Sequence, residues 1–585
     1  MQIDFTLNKK FALFSAALLI FFCTLKPSSS EFVTERKDED NYNHLKLANH
    51  LTYENEFGSD GEYDFLVNEI IHSINYPLNK INFISNNRFT SNTDPQTITT
   101  VLVDIGAIPL LQEDIFKRTN RINERSLLDF PIFYMPIKYS SSESTITATP
   151  FYNTTNQVYF TRTSPFIESY LAVNSETLLQ KISELEFPSI PGFDLNPIDV
   201  LPLFKNMTIE ERRVGLMFRF MHQLEENAHV RIMFPLYYLE TNFNLPPAEQ
   251  EVLKSTFGNP QDNSFAQEFL INDKVGLGDL RVAYDFPVID AAYFHARLGI
   301  FSTIPTAAVF KDGLYGSHFP QAPPIVTPIN LTQLFCNAQG TPEQQELALK
   351  EGTDFFLNTI KRLSAIILEQ PLGNGRHFGI GSYVRYKTYL RGLISREWAQ
   401  DIFFNSFLSF ELFTSKRHLR AYIEKSDVSE FNKLGLNRNK SEIIDELNDD
   451  EEYADTVLAF FEQQMTEKLN PFFIDTQVWP GFVFRWASKA HYEGKRWGVE
   501  AGFDTWVKAK EQLYDQDIPS AIPQDINVDI ARRPISYQWK LFGNIFYKKR
   551  TDEGNWLFSL TSDYTLSQTG IGGDFTVGFV IEKHF

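Results

Sequence analysis

Residues 575–585, the end of the chain, read FTVGFVIEKHF. Large apolar side chains stand at every second position, with one interruption at Lys583; they are Phe575, Val577, Phe579, Ile581 and Phe585. Successive side chains of a β-strand point to opposite faces, so alternation with a period of two indicates a strand with one apolar face. The stretch therefore predicts a strand with an apolar row on one side and a more polar row on the other.

Ten further stretches upstream repeat this alternation. In residues 214–224, for example, Leu216, Phe218 and Phe220 share one face, and Arg219 lies on the other. Several of the stretches run for about 10 to 12 residues, whereas strands of soluble proteins usually have about five or six. Long strands with one apolar and one polar face are typical of a sheet that separates two different solvents.

The connections between these stretches alternate between short and long. Glu225–Asn227 and Val288–Asp290 are short, whereas 303–378 and 424–477 are long. A transmembrane barrel shows this pattern because its turns are short on the periplasmic side and its loops are long outside. A soluble β-sandwich also alternates, but it has no reason to sort its connections by length. The sequence therefore predicts an all-β fold, a transmembrane antiparallel up-and-down β-barrel.

The number of strands should be even, because both ends of such a barrel lie in the periplasm. Weaker candidates at 130–140 and 144–160 raise the eleven alternating stretches to thirteen, and one more strand is expected within 81–108. We therefore expect about fourteen strands, with about 12 to 16 as the range.

Helical insertions are predicted in the long connections. Thr341–Gln344 has the pattern of a helix N-cap followed by proline, and apolar residues at helical spacing follow it. Helical spacing also occurs at 441–469 and at 175–186. Such helices either belong to structured external loops or fill the lumen as a plug, and external loops are favoured.

The amino terminus has the pattern of a secretory signal peptide. Lys9 and Lys10 precede an apolar run from Phe11 to Leu25, and Ser30 precedes a plausible cleavage point. We therefore expect a cleaved signal peptide at 1–30. Residues 31–127 form an acidic amino-terminal segment that is a candidate for the first strand, and residues 128–585 form the barrel with its long external loops.

The terminal strand resembles that of bacterial outer-membrane β-barrel proteins, which end in an aromatic residue preceded by apolar residues at alternate positions. Phe585 and the row from Phe575 to Ile581 fit this pattern, and Lys583 stands where the family usually has an apolar residue. The resemblance implies a porin-like protein of a Gram-negative bacterium, integral to the lipid of the outer membrane. It also implies that the barrel-assembly machinery reads the row Phe575, Val577, Phe579, Ile581 and Phe585.

The faces opposite the apolar rows carry charges of both signs, which we expect to line the lumen. The candidates are Arg219, Arg231, Arg281, Arg297, Arg385, Lys387, Arg485, Lys489, Asp279, Asp285, Glu500 and Asp504. Opposed charged walls select small ions or polar solutes, which predicts a pore for passive diffusion of small polar solutes. Alternatively, the charges pair with one another and fill a narrow barrel. A surface-exposed adhesion barrel with partner-binding loops is the second functional hypothesis, and a membrane-embedded hydrolase is the least favoured.

Several classes of function are disfavoured. A net charge of −20 argues against nucleic-acid binding, which needs clustered basic residues. Cys23 lies in the predicted signal peptide, so only Cys336 would remain in the exported chain, and an internal disulfide is not expected. No motif for a catalytic site, a cofactor or a metal stands out, so we predict none of these and no enzyme activity. The sequence leaves the oligomeric state open.

Overall fold

The structure is a computed structural model of the chain. It describes residues 95–104, 119–120, 124–135, 144–158, 207–224, 227–244, 270–312, 330–338, 341–392, 394, 399, 401–425, 428–519, 525–551 and 554–585. The predicted signal peptide and the helical stretch at 175–186 lie outside the described residues. None of the helices in the described part has the length and apolar character needed to span a bilayer.

Seventeen strands are present in the described residues. They are β1 (Ser144–Gln157), β2 (Thr208–Gln223), β3 (His229–Asn244), β4 (Ile271–Leu277), β5 (Leu280–Ala291), β6 (Phe294–Ile304), β7 (Ala308–Asp312), β8 (Gly379–Tyr389), β9 (Ile402–Phe413), β10 (Lys416–Tyr422), β11 (Phe472–Trp479), β12 (Phe482–Glu493), β13 (Trp497–Lys508), β14 (Gln512–Asp517), β15 (Ser536–Thr551), β16 (Gly554–Thr569) and β17 (Gly573–His584).

Twelve of these strands close into an antiparallel barrel. The pairing runs β2-β1-β17-β16-β15-β13-β12-β9-β8-β6-β5-β3, and β3 returns to β2. The ring closes between the first and last strands, where Thr145 pairs with His584 and the amide of Phe585 donates to the carbonyl of Ser144 at 3.0 Å. The predicted transmembrane-type barrel architecture is confirmed, with twelve strands at the lower end of the expected range.

Two of the three weaker strand candidates, at 130–140 and within 81–108, are helical where the structure describes them. The candidate at 144–160 is strand β1, but the candidate at 130–140 is wrong where it is described, because Pro131–Tyr134 is a helical turn inside the barrel. All residues from Phe130 to Met135 are buried, so this run is apolar on every side rather than on alternate sides. Within 81–108, the described part is a helix, Pro95–Asp104.

Both ends of the barrel sequence lie at one rim, together with the short turns between β2 and β3 and between β5 and β6; we call this the short-turn end. The opposite, long-connection end carries strands that continue beyond the ring. β4 and β7 extend the sheet beside the outer half of β3. Strands β10, β11 and β14 form a separate three-stranded sheet. In the chain, β10 follows β9, β11 precedes β12, and β14 follows β13.

Eight α-helices occur in the described residues. They are α1 (Pro95–Asp104), α2 (Pro131–Tyr134), α3 (Leu331–Ala338), α4 (Pro342–Leu368), α5 (Val428–Lys433), α6 (Lys440–Asp449), α7 (Glu451–Leu469) and α8 (Val528–Ala531), with 3-10 turns at Leu127–Asp129 and Leu390–Gly392. The predicted start of α4 is confirmed, because Thr341 and Gln344 form a reciprocal capping box. The predicted helix at 441–469 is divided into α6 and α7 at Asp450, which caps α7.

The outward face of the ring is apolar. Large apolar side chains are exposed there on most of the strands, among them Ile300 at 62% and Leu560 at 56%, and those of β3 are partly exposed. In the barrel strands as described, Asp, Glu, Lys and Arg occupy outward positions only near the strand ends, as at Arg212 and Asp290. A soluble protein could not leave such a continuous belt in water, whereas a bilayer requires it.

The terminal strand β17 points its predicted apolar row outward, with Phe575, Phe579 and Phe585 exposed. Lys583 shares this face, and its ammonium group lies 5.2 Å from the ring centre of Trp556 and 4.8 Å from that of Phe585. A lysine at a strand end can thus place its charge at the interface among aromatic rings, which explains how the departure from the family pattern is accommodated.

Candidate functional site

The inward face of the barrel carries the charged side chains. All twelve of the predicted lumen residues occupy inward positions or the inner rim, and most are almost completely buried, as for Arg485 at 1% exposure. Twelve strands enclose more space than the roughly eight whose side chains alone fill a barrel. The interior must therefore contain either solvent or further protein.

Residues 124–135, which we call the lumen segment, occupy this interior. Its apolar side chains belong to one buried cluster with wall residues from several strands. The ring of Phe133 packs edge-on against Phe151 of β1 at 5.2 Å, and the ring of Tyr134 lies 4.7 Å from Phe407 of β9. These contacts on opposite sides of the ring show that the segment bridges the lumen.

Asp129 is the centre of a buried charge cluster between the lumen segment and the wall. Its carboxylate accepts a hydrogen bond from Arg281 Nη2 at 2.9 Å and pairs with Arg485, while Trp506 Nε1 donates to its other oxygen at 3.2 Å. Arg281 Nη2 also lies 3.0 Å from Glu411 Oε2, and Arg485 pairs with the same carboxylate. Two arginines and two carboxylates thus neutralise one another.

Asp504 anchors the segment at a second point. Arg125 Nη2 and the Tyr134 hydroxyl donate to its two oxygens, each at 2.5 Å. Arg125 also donates to the side-chain oxygen of Gln538 at 3.0 Å. Because Arg125 and Tyr134 stand at opposite ends of the segment, this one carboxylate fixes both ends to the barrel wall.

The half of the lumen nearer the short-turn end contains further pairs. Asp285 accepts from Arg231 at 2.6 Å and from the Tyr383 hydroxyl at 2.7 Å, and it also pairs with Arg297. The Arg385 guanidinium stacks near the rings of Tyr383 and Phe407, with its central carbon 5.7 Å and 5.6 Å from their centres.

Two more pairs line the same half. Lys489 Nζ lies 2.8 Å from Glu500 Oε1, and His491 and Asn544 also contact this carboxylate. Arg219 Nη2 lies 2.6 Å from Glu582 Oε2 of the terminal strand.

The remaining predicted residues lie nearer the rims. The Lys387 ammonium lies 3.8 Å from the ring centre of Phe403 at the short-turn end. Asp279, between β4 and β5, accepts a hydrogen bond from the backbone amide of Asn374 at 2.6 Å.

The charged side chains of the wall therefore pair with one another or with the lumen segment, and some pairs join strands that are not neighbours, as Arg219 and Glu582 do. A cavity of about 20 Å³ lies between Tyr134, Arg281, Arg485 and the aromatic wall residues around Phe301. A cavity of this size holds about one water molecule. At these residues the lumen segment packs directly against the wall.

The sequence reasoning missed the members of these clusters that lie in the lumen segment, Arg125, Asp129 and Tyr134. They belong to a run without alternation, so the strand pattern could not reveal them. One signal was available. Asp129 is a lone acid within the apolar run 127–135, and a buried carboxylate of that kind needs a cationic partner elsewhere.

The contacts described at the site are ion pairs, hydrogen bonds and ring contacts. In the part of the chain that the structure describes, no group of three or more His, Cys, Asp or Glu residues is placed to hold a metal ion. Three histidines of the barrel strands, His222, His229 and His295, contact Ser144, Asp285 and Asp290 respectively.

Comparison with known proteins finds similarity in structure but not in sequence. No family model matches this chain, and no curated protein sequence matches it. It is similar to an outer-membrane channel from Pseudomonas putida F1, at 7% identity and a TM-score of 0.36, over 77% of this chain and 98% of that one. The P. putida toluene transporter TodX is 8% identical to this chain, with a TM-score of 0.29, over 80% of this chain and 96% of that one. The transport unit of the autotransporter AIDA-I from Escherichia coli is 6% identical to this chain, with a TM-score of 0.32, over 78% of this chain and 95% of that one.

Proposed function

We propose that this chain is an integral outer-membrane channel for the passive diffusion of small polar solutes, closed by the lumen segment in the conformation described. The observation that supports this proposal is the contrast between the two faces of one closed barrel. The outward face is apolar along every strand, and the inward face carries buried ion pairs. A polar lumen inside an apolar belt is the arrangement by which transmembrane barrels pass polar solutes.

Passage requires that the lumen segment move. Its contacts with the wall include ion pairs, and charged groups can exchange partners with a polar solute more readily than apolar groups can. The predicted lumen residues would line the route, with Arg281 and Arg485 at its narrowest part and Asp285 and Glu500 nearer the short-turn end. Charges of both signs favour small polar molecules over large apolar ones.

The same proposal includes the location and biogenesis of the protein. We propose export from a Gram-negative cytoplasm with a cleaved signal peptide at 1–30, recognition of the terminal row by the barrel-assembly machinery, and no catalytic activity. Outer-membrane lipid would then be the partner of the outward face.

Single-channel recording in planar bilayers tests the function. We expect discrete conductance steps from the wild type, with the closed state dominating. Asp129→Asn should raise the open fraction by about tenfold or more, because a hydrogen bond to a charged group contributes about 1.5–3 kcal/mol. Asp529→Asn is the matched control, since Asp529 is 82% exposed on α8, and it should leave the open fraction unchanged.

Folding must be monitored in the same samples by the gel shift between unheated and boiled protein. Folded wild type and folded Asp129→Asn that both lack conductance would reject the channel. That result would favour the second candidate, a surface-binding barrel.

The second candidate is favoured by one observation, the helical assembly beyond the long-connection end. Helices α1, α5, α6 and α7 share a buried apolar cluster that includes Phe431, Leu447 and Phe461. An assembly with its own core presents a stable surface to a partner. Replacing residues 426–470 by a short turn should then abolish cell adhesion while the heat-dependent gel shift is retained.

A further inference from the structure

Helix α1 packs against the helices that connect β10 to β11. The Gln96 side chain donates to the carbonyl of Asn448 at 2.5 Å, and the Thr99 hydroxyl donates to the carbonyl of Ala454 at 3.1 Å. Val103 is 2% exposed in the same apolar cluster as Leu447 and Val457. Since α6 and α7 lie between two strands that extend beyond the ring, α1 lies beyond the long-connection end.

Residues 119–120 lie closer to the barrel. The hydroxyl of Thr119 and the side-chain amide of Asn120 donate to the carbonyl of Ala421 on β10, at 2.5 Å and 2.8 Å. Asn120 also donates to the carbonyl of Ala531, at the end of α8, at 3.1 Å. These contacts place this part of the chain at the rim of the long-connection end.

The lumen segment comes next in the chain and lies inside the ring. Arg125 reaches Asp504 on β13, and Phe133 reaches Phe151 on β1. Strand β1 then begins at Ser144, which is bonded to Phe585 at the short-turn end. In chain order, the described residues therefore progress from beyond one rim, through the lumen, to the other rim.

We infer that the barrel carries its own amino-terminal chain through the outer membrane, so that α1 lies on the outer surface of the cell while β1 begins at the periplasmic rim. The orientation follows from the short turns, which face the periplasm in barrels of this kind. An exported chain reaches the outer membrane from the periplasm. Residues 95–104 must therefore have crossed the membrane by the time that the barrel is complete.

Beyond the proposed closure, this topology restricts how the lumen segment can move. It is a length of chain fixed at both rims, by α1 on one side and by β1 on the other. It cannot leave the lumen by swinging out from one end. Any opening has to occur beside it, within the space between the lumen segment and the wall.

Cysteine labelling on intact cells tests this inference. In a variant that lacks both Cys23 and Cys336, single cysteines are placed at Gln96 on α1, at Asp529 on α8 and at Asn227 in the turn between β2 and β3. A membrane-impermeant maleimide of high mass is applied before and after permeabilisation of the outer membrane. We expect Gln96→Cys and Asp529→Cys to react in intact cells, and Asn227→Cys only after permeabilisation.

Reaction of Gln96→Cys only after permeabilisation, together with Asn227→Cys, would overturn the inference. So would reaction of Asn227→Cys in intact cells, because the orientation would then be reversed. The double variant Thr100→Cys/Asn448→Cys provides a second measurement, since Oγ1 of Thr100 lies 3.5 Å from Oδ1 of Asn448. We expect an intrachain disulfide, and its absence from folded protein would contradict the packing of α1 against α6. None of these readouts depends on conductance, so the failure of the channel proposal and the failure of this inference give different results.

Discussion

The Oδ1 atom of Asp129 accepts a hydrogen bond from Nη2 of Arg281 at 2.9 Å and thereby joins the lumen segment to strand β5. The same carboxylate pairs with Arg485 on β12 and accepts from Trp506 on β13. One side chain of the lumen segment thus contacts three strands of the wall. Charges of this kind are buried away from both solvent and lipid, so their removal should be costly.

Asp129→Asn should lower the stability of the folded barrel. Breaking a buried ion pair usually costs about 3–5 kcal/mol, and because Glu411 still pairs with both arginines, we expect about 3 kcal/mol here. Urea unfolding in detergent micelles, followed by the gel shift, measures the change. Asp529→Asn should shift the stability by less than about 0.5 kcal/mol, as exposed substitutions do. Equal effects of the two variants would show that Asp129 has no special contact with the wall.

Lys540→Met should also destabilise the barrel, because two carboxylates then lose their cation. Lys540 Nζ lies 2.8 Å from Asp563 and also pairs with Asp574. We expect a loss of about 3–5 kcal/mol in the same unfolding assay. Asp563→Asn should cost less in the Lys540→Met background than in the wild type, with a coupling of about 1 kcal/mol or more. Strict additivity of the two substitutions would contradict the described pairing.

Gly299→Ala should disturb the lumen through Tyr383. A Cβ at position 299 would lie 2.2 Å from Cζ of that ring, so the ring must move and its hydrogen bond to Asp285 must lengthen. Overpacking of this kind costs about 1–3 kcal/mol. Gly352→Ala, on helix α4, is the control, because its nearest atom outside the helix backbone would be 3.8 Å away. It should be neutral or stabilising. If Gly299→Ala behaves like this control, Tyr383 does not occupy the described position.

The three-stranded sheet of β10, β11 and β14 should loosen in acid through one histidine pair. His377 Nδ1 bonds to the carbonyl of Thr414 at 2.8 Å, which leaves its Nε2 to accept from Nε2 of His418 at 2.9 Å. Burial lowers the pKa of His377 to about 4 and that of His418 to about 3. Nearby charges include Lys508, Arg420 and Glu511.

Acid should destabilise the folded sheet, because proton binding is linked to unfolding. Both histidines have a lower pKa folded than unfolded, where it is about 6.5, so the unfolded form binds more protons below that pH. The stability that the neutral histidine pair contributes is fully present above about pH 6.5 and is lost as the pH falls toward about 4. Hydrogen exchange in residues 414–422, corrected for intrinsic rates, should be at least about tenfold faster at pH 4.5 than at pH 7. The double variant His377→Asn/His418→Asn should lack this pH dependence, and a wild type without it would refute the neutral pair.

The barrel strands could be predicted because the membrane imposes a simple rule on one face. Outward positions such as Phe218 and Leu560 are mostly apolar whatever their neighbours are, so the pattern is visible in a single sequence. The start of α4 was predictable for a similar reason, since Thr341 and Gln344 lie within one helical turn.

The arrangement of the lumen could not be predicted in this way. Arg281 and Glu411 are 130 residues apart, and which acid meets which arginine depends on strand register and on strand number. The lumen segment adds a further difficulty, because Pro131–Tyr134 is buried on all sides and has no period. Alternation showed which side chains face inward, but it could not show what they meet there.

The most direct test of the account is spin labelling along strand β16, one position at a time from Leu557 to Tyr564. We expect oxygen accessibility to alternate along the strand with a period of two. Labels at Phe558, Leu560, Ser562 and Tyr564 should collide with oxygen dissolved in the bilayer, and labels at Leu557, Ser559, Thr561 and Asp563 should be shielded from it. Equal oxygen accessibility at both sets, or burial of the even-numbered set within a protein that is soluble without detergent, would contradict the central claim that one face of a closed barrel contacts lipid.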